Sequence, residues 1–198
     1  MMIRNRLAIS AFVFLAATAP AFAHLDPGEH GSFAAGFSHP LFGADHILAM
    51  VAVGLWAALL GGRALWQVPV AFVGTMMLGF AAALFGAPLP FVEPVILASV
   101  VVIGLAAAAA LKVPTPAAMA MVGFFAFFHG HAHGGELGEA GAASFMIGFA
   151  LATAFLHLAG VVIGLGLGRV FGGQLGQMVT RGAGGLTALA GLWLALGA

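Results

Sequence analysis

The chain has 198 residues, of which only 6 are Lys or Arg and 6 are Asp or Glu, while 63% are hydrophobic. So few charges cannot cover a water-soluble domain, in which about a quarter of residues are charged, and the composition belongs to the membrane class. Zero formal net charge excludes an electrostatic nucleic-acid binder, and the lack of cysteine excludes disulfides, iron–sulfur clusters and thiolate metal sites.

Arg4 and Arg6 precede a short apolar run, Leu7 to Ala19, and Ala21-Phe22-Ala23 has the A-x-A form of a cleavage site. Residues 1–23 therefore read as a secretory signal peptide, removed before His24. Charges then punctuate the chain into six apolar segments of near span length, at 36–60, 66–86, 92–111, 115–131, 143–167 and 179–197. This predicts an all-α, polytopic membrane protein, with one six-helix transmembrane domain over 24–198. Threading from an external His24 puts Arg63, Lys112, Arg169 and Arg181 in the cytoplasm, as the positive-inside rule requires, and leaves both termini outside. Asp26, Glu29, Glu93, Glu136 and Glu139 fall at the outer face, and Asp45 is the only charge placed in the body of a span, Glu93 and Arg181 standing at span ends. No G-x-x-x-x-G-K-[ST] phosphate loop is present, so ATP hydrolysis by that route is excluded. Gly160, Gly164, Gly168 and Gly172 recur every four residues, a spacing that lets helix backbones approach closely, within one protomer or between protomers of a homo-oligomer.

Two constellations carry the chemistry. His39-Pro40-Leu41-Phe42-Gly43-Ala44-Asp45-His46 lies at the outer end of the first span, and Phe128-His129-Gly130-His131-Ala132-His133-Gly134-Gly135-Glu136 lies where the fourth span meets its outer loop. Threading puts both on one side of the membrane. On a straight helix His39 and His46 would stand about 10.5 Å apart along the axis. Pro40 suits a first helical position, so His39 is expected just before the helix, free to fold back. Asp45 and His46 point about 100° apart on a helix, so that one binds an ion while the other orients a ligand. In the second constellation His129 and His133 share a helical face, but Gly130, Gly134 and Gly135 speak against a regular helix throughout. Imidazoles with carboxylates and no thiolate suit Ni, Co, Zn, Cu(II) or Fe(II). The candidate metal ligands are His39, Asp45, His46, His129, His133 and Glu136, with His24, His131 and His157 as further candidates. His157 stands alone in the body of a span, where an imidazole also serves to tie helices together. His24, once exposed as an N-terminal residue, would add a two-nitrogen chelate.

The H-x5-D-H pattern of His39, Asp45 and His46, followed by Met50 and the V-G-L-W-A segment Val53 to Ala57, resembles the HupE/UreJ family. The F-H-G-H-A-H-G-x-E block, Phe128 to Glu136, resembles that family's second signature, and the resemblance spans the mature chain. It implies a permease of the bacterial inner membrane, not an enzyme, that carries nickel or cobalt as substrate and holds no permanent cofactor. It implies a link to metal supply for hydrogenase, urease or cobalamin. Two other readings use the same residues: an intramembrane metalloenzyme with Glu136 as base, and a haem protein with an axial pair such as His46 and His129.

Overall fold

In the computed structural model, residues 32–137 and 141–197 are described, and among them seven helices and no strand occur. The signal-peptide segment 1–23 and His24 lie outside the described residues, as do Asp26, Glu29 and Glu139. The helices are α1 (Phe33–Phe42), α2 (Ala44–Leu60), α3 (Ala64–Leu84), α4 (Val92–Ala108), α5 (Thr115–Leu137), α6 (Ala142–Phe171) and α7 (Gly173–Ala195). By length and apolarity α3 and α6 suffice to cross a membrane, and α1 with α2 makes a third if the bent pair is one span. The 17 residues of α4 form a shorter apolar helix.

Two local expectations are corrected. Pro40 does not open a helix: Ser32 caps α1 by accepting a hydrogen bond from the Ala35 N–H at 3.0 Å, and Pro40 lies inside it. A proline ring lacks the N–H for the carbonyl four residues back, and α1 stops two residues later at extended Gly43 (φ −77°, ψ 115°). The chain turns by 79° there and restarts as α2. His39 is thus helical, and the bend, not a flexible leader, folds it back. The second correction concerns the glycines of the other motif. α5 runs unbroken through Gly130, Gly134 and Gly135 to Leu137. A Cβ on Gly130 would overlap the Met76 carbonyl of α3, and one on Gly134 would overlap the Phe80 carbonyl. These glycines let two helix backbones touch, and in an apolar medium the intact hydrogen-bonded helix is retained.

Glycines seat the other crossings too. Gly54 of α2 meets Gly160 of α6, Gly164 meets Ala58, and Gly104 of α4 meets the α7 backbone at Gly184 and Ala188. Gly160 and Gly164 therefore act in close packing, as their spacing predicts. Gly172, with φ +70°, instead separates α6 from α7. The interior holds Met50, Trp56, Phe72, Met76, Phe80 and Phe149, while Trp66, Leu78, Phe155, Leu158, Leu186 and Trp193 are exposed. An apolar outside around histidines inside is the distribution a hydrocarbon surround favours. The Trp56 Nε1–H donates to the Leu111 carbonyl at 2.9 Å, and the Arg181 Nε–H donates to the Ala108 carbonyl at 2.8 Å. These ties gather the C-terminal ends of α2 and α4 with Lys112 and Arg181, at the bundle end opposite the N-terminus of α2.

Candidate metal centre

The first turn of α2 and the last turns of α5 meet at the bend. His39 from α1, His46 from α2 and His133 from α5 each aim a ring nitrogen at the same space, the three atoms lying within 4.8 Å of one another. His46 Nε2 and His133 Nε2 are 3.0 Å apart. Two imidazoles bound cis to one ion with metal–nitrogen bonds of about 2.1 Å stand about 3.0 Å apart. The ring centroids of His39 and His133 are 4.2 Å apart, and those of His39 and His46 5.1 Å. His46 and His133 are buried and His39 is half-buried. Phe149 of α6, fully buried, closes the wall with its centroid 5.0 Å from that of His133 and 5.8 Å from that of His46.

Asp45 does not join the three nitrogens. Its Oδ1 lies 3.0 Å from His46 Nδ1, off the line of a full hydrogen bond. A carboxylate at that distance favours the proton on Nδ1 and leaves the Nε2 lone pair for an ion, the usual carboxylate–histidine arrangement around metals. Gly43 keeps this pair in place: a Cβ there would stand 3.0 Å from His46 Nδ1 and 3.1 Å from Asp45 Oδ1. Its φ of −77° suits alanine, so the constraint is space and not backbone. Gly43→Ala is expected to leave the bundle folded but to weaken divalent-ion binding at the three nitrogens about tenfold, the scale of a disturbed orienting carboxylate. Titration of purified variant and wild type with divalent transition-metal ions measures this, and equal affinities would refute it.

The remaining candidates separate. His129 is fully buried one turn below His133, its ring 5.1 Å from that of His46. It faces Ser99 of α4 across 2.9 Å rather than joining the three nitrogens. His131 faces away, and its Nε2–H donates to the Ala87 carbonyl at 2.7 Å, tying α5 to the loop after α3. His131→Ala is expected to lose about 1 kcal/mol of stability with unchanged metal-ion affinity, read by thermal melting beside metal titration. His157 is buried in α6, away from the three, with neither ring nitrogen hydrogen-bonded. The backbone of Glu136 lies in the last turn of α5, but its side chain lies outside the described residues. Glu93 is exposed in the first turn of α4, where a negative charge complements the helix dipole.

The HupE / UreJ protein family model matches residues 12–194. "Protein HupE" of Rhizobium leguminosarum bv. viciae is 48% identical over 180 residues, which cover 90% of this chain and 92% of that protein. The chain belongs to the HupE/UreJ family. No solved structure matches it.

Three residues of this HupE/UreJ chain shape the centre without having been singled out in the sequence. Gly43 sits inside the first motif, but its role depends on a contact with its own neighbours across the bend. Ser99 was visible as a lone hydroxyl in an apolar segment, a signal of a buried polar partner. Phe149 offered no signal, because an aromatic residue in an apolar helix reads equally as core or lipid contact.

Proposed function

We propose that the chain is a nickel or cobalt permease of the bacterial inner membrane, in which His39, His46 and His133 strip and hold the ion and Asp45 orients His46. The observation that carries the reading is three imidazole nitrogens converging inside an otherwise apolar helix bundle. Buried ionisable groups in such a setting are costly and mark ion pathways. Neutral nitrogen donors without thiolate suit nickel and cobalt. In this reading six spans follow a cleaved signal peptide, both termini are external, and the histidine end faces outward. The grouping of Lys112 and Arg181 at the opposite end supports that orientation through the positive-inside rule. In the same reading Glu136 serves as a further ligand, and the outer acids gather cations before entry. The ion then passes inward, to serve hydrogenase, urease or cobalamin enzymes.

The haem alternative needs His46 and His129 to approach one iron from opposite sides. Instead His46 Nε2 turns to His133 and His129 Nε2 to Ser99, which favours the permease. Expression in cells lacking their own nickel importer tests the reading. Accumulation of radioactive nickel above the empty-vector level is expected, with cobalt as competitor. No accumulation by a chain that reaches the membrane would overturn it.

A further inference from the structure

Two buried histidines below the three converging nitrogens carry lone pairs that no group among the described residues uses. The Ser99 hydroxyl gives its only proton to the Ile96 carbonyl at 2.6 Å, so toward His129 it can only accept. With the Ser99 proton on the Ile96 carbonyl, His129 carries its own on Nε2 and leaves Nδ1 as a lone pair, fully buried and without a hydrogen-bond partner among the described residues. An imidazole held this way, N–H on a protein oxygen and the other nitrogen free, has the form of a metal ligand awaiting its ion. His157 goes further: it is 1% exposed, and neither Nδ1 nor Nε2 meets a partner. Both rings contact the same Phe72 ring, with centroids at 5.7 Å for His129 and 4.8 Å for His157.

The depths form a series. His129 is one turn, about 6 Å, below His133 along α5. His157 lies eight residues beyond Phe149 on α6, about 12 Å below the wall of the upper centre. At the intermediate level the Thr153 hydroxyl donates to the thioether of buried Met76 at 3.6 Å. Seven residues beyond His157, Gly164 borders a cavity of about 340 Å³ that Gln177, Thr180 and Arg169 also line. The cavity continues the series toward the basic end of the bundle.

We propose that His129 Nδ1 and, deeper, His157 act as successive inner coordination positions, which take a divalent transition-metal ion from His39, His46 and His133 and pass it toward the Arg169 cavity. The proposal rests on the permease reading and adds inner positions to it. Phe72 borders both ligands, and Ser99 is a positioning residue that fixes the His129 tautomer. Unpaired nitrogens in an apolar interior weaken a fold. An aromatic hydrocarbon at position 157 would therefore give a protein at least as stable, which separates a role in transit from a role in folding.

The full chain tests this with His157→Phe, and with His157→Leu to guard against a steric artefact of the larger ring. Three quantities are compared with wild type: nickel uptake in importer-deficient cells, nickel affinity of the purified protein, and its melting temperature. The expected result for at least one variant is uptake reduced about tenfold or more, affinity at the outer centre unchanged within about twofold, and a melting temperature equal to or above wild type. Ser99→Ala is expected to lower the maximal uptake rate while leaving the half-saturating nickel concentration unchanged, with partial rescue by Ser99→Thr. Wild-type uptake in both His157 variants would overturn the proposal. So would loss of uptake accompanied in both by weakened affinity or a lower melting temperature, which marks a structural role. If wild type neither binds nor imports nickel, the permease reading itself has failed and the inner positions fall with it.

Discussion

His46→Ala is expected to reduce nickel uptake by about 100-fold or more while the protein still reaches the membrane. Disturbing a residue that only orients a ligand costs about 10–100-fold in metal affinity, and His46 supplies the ligand. Its Nε2 is 3.0 Å from that of His133, its Nδ1 is 3.0 Å from the Asp45 carboxylate, and its ring adjoins those of His39 and His129. Removing it dissolves the convergence of the three nitrogens. Asp45→Asn keeps the shape and removes the charge, so its loss should stay within about 10–100-fold. The order of the two variants is the sharper check. Uptake by His46→Ala equal to or above that of Asp45→Asn would mean that the ion does not sit on His46 Nε2.

Gly130→Ala is expected to abolish accumulation of folded protein. A Cβ at this position overlaps the Met76 carbonyl and stands 2.9 Å from the Phe80 backbone nitrogen. Neither is the free end of a flexible side chain, so α3 and α5 would have to part along their length. Overpacking a tight interior costs about 1–3 kcal/mol and at times more, and a contact made with backbone has the least means to relax. Gly135→Ala, five residues along the same helix, meets nothing within 4 Å and serves as the control. The amount of detergent-soluble monodisperse protein and its melting temperature measure both. Equal yields would show that the α3–α5 approach is looser than described.

Much of this chain could be read before any coordinate. Twelve charges among 198 residues mark the membrane class and the ends of the apolar segments, because a charge in hydrocarbon is costly enough to be excluded from almost every position. The two motifs named the histidines now found together, and the four-residue glycine spacing foretold close packing at Gly160 and Gly164, whose partners in α2 only the structure supplied. The boundaries were less legible. α5 extends six residues past 131, because glycines that weaken a helix in water are kept for contact between helices here.

The division between sequence and tertiary structure follows from the range of the forces. Composition and periodicity act residue by residue, so the sequence by itself determined the helical class, the apolar exterior and the residues able to bind a metal. Which of those residues meet depended on the 79° bend at Gly43 and on how closely α3, α5 and α6 approach. These are properties of contacts between residues far apart in the chain. The bend joined His39 to His46 and His133, while Asp45 was set beside His46 Nδ1 and His131 went to a loop carbonyl. Ser99, one hydroxyl in an apolar segment, became the residue that leaves His129 with a free lone pair. No pattern along one helix encodes that, because the proton is placed by a partner 30 residues away.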